Sequence, residues 1–241
     1  MSESLDLGDP PQPASQGAYR VLARKYRPQR FSELIGQDAM VTTLANAIKR
    51  DRLAHAFLLT GVRGVGKTST ARLIAKALNC ELGPTIDPCN ECEACVAIAE
   101  GRHMDVVEMD AASNTGVDDV REIIEAVRYS AVSARYKVYI IDEVHMLSKN
   151  AFNALLKTLE EPPPHVKFLF ATTEVNKVPV TVLSRCQRFV LRRISASSLA
   201  RHFAAVVKSE GVTAEEEALA LVANAAEGSV RDGLSILDQA I

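Results

Sequence analysis

The chain has 241 residues, of which 47% are apolar and 24% charged, with a formal net charge of −2 at pH 7. No apolar run approaches the roughly 18 residues of a membrane span, and the first residues lack the charged-then-apolar layout of a secretory signal. The expectation is a globular, cytoplasmic protein rather than a membrane-spanning or exported one. The near-neutral total decides nothing about nucleic acid, because a basic face fits within it.

Residues 1–18 hold prolines, serines and acids with almost no apolar pattern. They cannot offset their ordering entropy, so a disordered tail is expected, with order beginning near Tyr19. Residues 21–31 are basic through Arg24, Lys25, Arg27 and Arg30, with Tyr26 and Pro28 among them. That stretch reads equally as a nucleic-acid patch or a solvated lead-in. A helix follows over 38–50, its buried stripe formed by Met40, Leu44, Ala47 and Ile48.

The apolar run 55–60 ends in Gly61, Val62, Arg63, Gly64, Val65, Gly66, Lys67 and Thr68, which fits the phosphate-binding loop pattern in full. Its glycines let successive N–H groups approach phosphate oxygens, Lys67 adds a cation, and the Thr68 hydroxyl can serve Mg²⁺. A helix over 68–79, with Ser69 in its first turn, aims its positive end at the nucleotide. Strand before and helix after make a chance match improbable.

Four of the five cysteines, Cys80, Cys89, Cys92 and Cys95, fall within sixteen residues. In a reducing compartment that clustering suggests an insertion at 80–95 built on a metal. Four thiolates close a tetrahedron around Zn²⁺ and leave no open position, so the site would be structural. An iron–sulfur cluster and metal-free thiols stay open, and His103 is a more distant spare ligand. Cys186 has no nearby thiol and reads as a small buried residue.

Strands are expected at 106–109, 138–141, 166–171 and 188–191, with helices at 117–130 and 150–159. Such alternation argues for a parallel sheet covered by helices on both faces, over 19–194. Beyond Arg193 only helical patterns remain, at 197–208, 214–226 and from 229 onward, giving a small lid domain over 195–241. The last pattern meets Ile241 with no terminator, which reads as a fragment of a longer polypeptide.

Hydrolysis needs more than a phosphate cradle. Asp142, after the third strand, is placed to hold the shell of Mg²⁺, and Glu143 is the expected base for the attacking water. An acidic turn capping a strand is the bland alternative, and its pairing with the phosphate loop argues against it. Thr172 and Thr173 end the fourth strand, where a hydroxyl can position the water or simply be satisfied locally.

Together, 61–68, Asp142-Glu143, Ala171-Thr-Thr-Glu174, Ser184-Arg-Cys186 and Gly228-Ser-Val-Arg231 resemble the AAA+ clamp-loader ATPases. The cysteine insertion and Leu22-Ala-Arg-Lys-Tyr-Arg-Pro28 narrow the resemblance to their bacterial tau/gamma branch. The resemblance implies a five-stranded parallel sheet in the order 5-1-4-3-2 with a helical lid over the nucleotide. It implies that Arg231 senses the γ-phosphate from the lid and that Arg185 is a finger acting in trans on a neighbour's ATP. Ala23, Arg27, Pro28, Ile35 and Gln37 would wall the adenine pocket. It further implies a subunit of a heteropentamer that uses ATP and Mg²⁺ to open a sliding clamp and load it on primed DNA through phosphate contacts. A hexameric DNA-remodelling motor, a non-hydrolysing structural subunit and a zinc-dependent DNA-binding module are the competing readings.

Overall fold

The computed structural model describes residues 21–113 and 116–241. The expected tail at 1–18 and the start of order at Tyr19 lie outside the described residues. Five parallel strands form one sheet: β1 (Ala56–Thr60), β2 (Val106–Asp110), β3 (Lys137–Asp142), β4 (Val166–Thr172) and β5 (Gln187–Val190). Their spatial order is β2-β3-β4-β1-β5, which read from the other edge is the 5-1-4-3-2 implied by the resemblance.

The central strands lack a polar face because both sides are covered. Every residue of β1 and β4 is buried. Phe57, Leu59, Ile140, Leu169 and Ala171 point to one side, against Met40 and Leu44 of α2 (Asp38–Lys49) and Leu73, Ile74 and Ala77 of α3 (Lys67–Asn79). Leu58, Tyr139, Ile141, Phe168 and Phe170 point to the other. There they meet Val120 and Ile123 of the helix Val117–Val127 and Phe152 and Leu155 of the helix Lys149–Glu160. Burying each such side chain contributes about 1.5–3 kcal/mol, so the two layers hold the sheet rigid beneath the loops at its carboxyl edge.

Several boundaries differ from the sequence pattern for identifiable reasons. The leading segment contains a short helix, α1 (Leu22–Lys25), and the cysteine insertion contains another, α4 (Glu93–Glu100). Neither shows a long apolar period. The Val117–Val127 helix (α5) stops short of residue 130. The buried Asp105 carboxylate accepts the N–H groups of Val132, Ser133 and Ala134 at 2.8, 2.8 and 2.9 Å and bends the chain there. Beyond the Lys149–Glu160 helix (α6) and β4, a short helix, α7 (Val180–Leu183), leads into Ser184.

The lid comprises α8 (Ala196–Ser209), α9 (Glu216–Ala225) and α10 (Val230–Ala240), packed through Leu199, Phe203, Leu219, Ala223, Leu234 and Leu237. Ser195 and Ser229 cap α8 and α10 by accepting the Ser198 and Asp232 N–H groups. Leu22 of α1 is buried in this lid core. Lys25 and Tyr26 both reach Glu210 at the end of α8, and the Leu22 N–H donates to Asp238 at 3.3 Å. The leading segment thus packs on the lid and carries Arg27 and Pro28 along the cleft between lid and sheet.

Candidate functional site

The turn between β1 and α3 is built for an approach that only glycine allows. Gly64 has φ +76, and a Cβ there would lie 1.9 Å from Ser229 Oγ; one on Gly61 would lie 2.7 Å from the Leu191 carbonyl oxygen. The loop therefore touches both the strand exit and the first turn of α10, where the Arg231 N–H donates to the Gly64 carbonyl at 3.3 Å. Lys67 opens α3, and its Nζ donates to the Gly61 and Val62 carbonyls at 3.0 and 3.1 Å. Burial pulls this ammonium below its ordinary pKa, while the nearby Glu143 and Asp142 carboxylates favour its charge.

The acidic pair stands beside it. The Thr68 hydroxyl donates to Asp142 Oδ2 at 2.5 Å, and the Glu143 N–H donates to Asp142 Oδ1 at 2.9 Å. Glu143 itself has φ +45, a conformation that costs a non-glycine residue on the order of 1–3 kcal/mol and that clusters at functional turns. Its Oε2 accepts the Thr173 N–H at 3.1 Å and the Thr173 hydroxyl at 2.9 Å. Thr172 is fully buried, and its hydroxyl meets His145 Nδ1 at 2.9 Å and accepts the Glu174 N–H at 3.0 Å.

These groups line a cleft of about 1400 Å³ between sheet and lid. Val62, Arg63, Gly64, Val65, Gly66, Lys67, Thr68, Ser69, Asp142, Glu143, Thr173 and Arg231 face it at one end, and Ala23, Arg27, Pro28, Ile35 and Gln37 face it elsewhere. Gly61 and Thr172 do not line it. The Gln37 amide is held on the strand-to-lid linker, donating to the Arg192 carbonyl at 3.0 Å and accepting the Arg192 N–H at 3.2 Å. The Arg27, Arg63 and Arg231 side chains carry no hydrogen bond or ion pair among the described residues. Burial, then the neighbouring Arg72, lowers the pKa of Arg27. Unpaired guanidinium groups facing a cleft suit a polyanion.

Arg185 is not part of this cleft. It follows α7 at the surface, its guanidinium donating to Glu160 Oε1 at 2.5 Å and to the Thr181 carbonyl at 2.6 Å. A half-buried guanidinium held by three acceptors, the third being Ser184 Oγ at 3.3 Å, is ordered and does not line the cleft that Lys67 faces.

The four cysteine sulfurs all lie within 4.8 Å of one another. Thiolates about 2.3 Å from one tetrahedral ion would stand about 3.8 Å apart; Cys80 and Cys89 are 3.6 Å apart, and Cys89 and Cys95 are 4.0 Å apart. The Cys89, Cys92 and Cys95 N–H groups donate to the sulfurs of Cys80, Cys89 and Cys92 at 3.4, 3.3 and 3.4 Å. The Cys92 and Glu91 amides draw the Cys89 thiol down to about 6, whereas burial pushes Cys95 up. The donor set and spacing fit a single soft ion. His103 stands outside this group, its Nδ1 accepting the Asp105 N–H. Cys186 is half-buried, and burial pushes its thiol up to about 12.

One participant was not visible in the sequence reading. The His145 side chain, 5% exposed, sits between Glu143 and Glu174 as well as Thr172. Its signal was the spacing Asp142-Glu143-Val144-His145, in which a histidine two residues past the acid turns back into the site through the 3₁₀ turn Val144–Met146.

A family model described as "DNA polymerase III, delta subunit" matches residues 36–195, and one described as "DNA polymerase III clamp loader subunit, ATPase lid domain" matches 198–241. DNA polymerase III subunit tau/gamma of Haemophilus influenzae is 54% identical over 93% of this chain and 33% of its own length. DNA polymerase III subunit tau is 53% identical in Escherichia coli, over 93% of this chain and 35% of that protein. In Bacillus subtilis it is 52% identical, over 93% and 40%. The chain thus spans between a third and two fifths of the length of these relatives. Among solved structures, the Thermotoga maritima RuvB Holliday junction branch migration motor superposes with a TM-score of 0.64 at 21% identity. That match covers 88% of this chain and 64% of that one, and such a likeness shows the AAA+ fold alone. Taken with the two family models and the curated relatives, these matches show that the chain belongs to the tau/gamma family of DNA polymerase III clamp-loader subunits.

Proposed function

We propose that the chain is the ATP-binding and ATP-hydrolysing motor part of a clamp-loader subunit. The observation that carries this reading is the Thr68–Asp142 hydrogen bond directly beneath the glycine loop, with Glu143 beside it and the unpaired Arg27, Arg63 and Arg231 facing the same cleft. The glycine loop and Lys67 would cradle the triphosphate, Thr68 and Asp142 would hold Mg²⁺, and that ion would neutralise phosphate charge. Glu143 would take the proton of the attacking water, with Thr172 and Thr173 fixing its surroundings. Arg231 would meet the γ-phosphate from the lid, and Ala23, Arg27, Pro28, Ile35 and Gln37 would wall the base.

The chain would divide into a nucleotide domain over 19–194, carrying the cysteine insertion at 80–95, and a lid over 195–241; the two core layers of the sheet support this, while Leu22 and Ile194 of the first domain join the lid core. In an assembly with homologous subunits, Arg185 would reach ATP held by a neighbour, which its surface position supports. The whole would use ATP binding to open a sliding clamp and hydrolysis to release it on primed DNA, gripping the duplex through its phosphates. Relatives named as DNA polymerase III subunits support a cytoplasmic setting at the replication fork. The likeness to a branch-migration motor stops at the fold, so it does not favour the hexameric reading. The convergence of Lys67, Thr68, Asp142 and Glu143 argues against a structural subunit that never hydrolyses.

Zinc is the ion proposed for Cys80, Cys89, Cys92 and Cys95. The short sulfur separations favour one ion over an iron–sulfur cluster, whose own atoms would stand between the thiols and spread them. A site with four thiolates has no open position and would brace the insertion rather than catalyse.

Three outcomes test this. Glu143→Gln should retain ATP affinity and lose turnover by about a hundredfold or more; hydrolysis at the parent rate would refute Glu143 as base. Arg185→Ala should leave nucleotide affinity of the isolated chain unchanged and cut turnover in the assembly by about a thousandfold. A matching loss of affinity in the isolated chain would rule out action in trans. Elemental analysis should find about one zinc per chain, and Cys89→Ser should lose it and unfold at a lower temperature. A parent free of metal with the same unfolding midpoint as the variant would remove zinc from the account.

A further inference from the structure

We infer that His145 is a positioning residue that fixes where the Glu143 carboxylate stands; this rests on the reading of Glu143 as the hydrolytic base. The ring is almost wholly buried and three oxygens surround it. Nδ1 lies 2.9 Å from Thr172 Oγ1 and 3.3 Å from Glu143 Oε2, and Nε2 lies 3.3 Å from Glu174 Oε1. Thr172 Oγ1 already accepts the Glu174 N–H, which leaves its own proton to donate. The Glu174 carboxylate is held in turn by Lys177 at 2.9 Å.

The ring is thus held from both sides: Nε2 faces the Glu174 carboxylate, while Nδ1 faces the Thr172 hydroxyl and Glu143 Oε2 together. Glu143 is drawn from one side by the two Thr173 donors and bounded on the other by the imidazole. The ring is a backstop: without it, the carboxylate swings out of the place where Thr173 presents it. Because the same nitrogen is anchored on Thr172, the end of β4 and the position of the base move together.

Asparagine and glutamine separate this role from simple packing. An Asn amide occupies the place of Nδ1, and a Gln amide reaches the place of Nε2. In the clamp-loader assembly, His145→Ala should lower turnover at saturating ATP by about tenfold or more while ATP affinity stays within about twofold. His145→Asn should recover most of the turnover, and His145→Gln should not. Parent turnover in His145→Ala, a parallel loss of affinity, or equal loss in all three variants with a lowered unfolding midpoint would overturn the inference. Glu143→Gln run alongside judges the base assignment separately: if it hydrolyses ATP while His145→Ala does not, the reading of Glu143 fails rather than the measurement.

Discussion

Everything in this molecule turns on a side chain that is missing. Gly64 presses its backbone against Ser229 and Arg231 so closely that even a methyl group would collide with the serine hydroxyl. The glycine loop of the sheet domain and the first turn of α10 therefore share one surface, joined by the Arg231 N–H on the Gly64 carbonyl. A group that settles on the loop must be felt by α10, and a displacement of α10 must be felt by the loop.

The same logic extends along α3. Its first residue, Lys67, belongs to the loop, and its C-terminal cap, Cys80, belongs to the thiol cluster. Midway, the buried Lys76 Nζ donates to the Gln29 carbonyl at 3.0 Å and so fastens the leading segment. That segment is tied to the lid through Leu22, Lys25 and Tyr26. One helix thus links the glycine loop, the leading segment and the cysteine insertion. A rigid element with three attachments transmits strain better than a chain of loops.

Much of this was legible from residues alone. The run 55–60 into Gly61–Thr68 reads as strand, loop and helix because apolar period and glycine spacing agree there. Likewise, Asp142 and Glu143 were exposed by the apolar strand that ends in them. What the pattern did not disclose has a common cause. The helix α1 is too short to show a period, and its allegiance to the lid depends on Leu22 meeting residues some two hundred positions away. The early end of α5 depends on Asp105, whose carboxylate gathers three backbone donors from a distant loop. His145 looks like any histidine in a turn until β4 brings Thr172 and Glu174 around its ring. Local pattern names elements, whereas long-range hydrogen bonding decides where they stop and what they hold.

The claim that loop and lid respond as a single body is open to direct measurement by amide hydrogen exchange on the chain with and without ATP. The account predicts that nucleotide slows exchange in the glycine loop and in the first turn of α10 together. Slowing confined to the loop, with the amides around Arg231 exchanging as before, would contradict it.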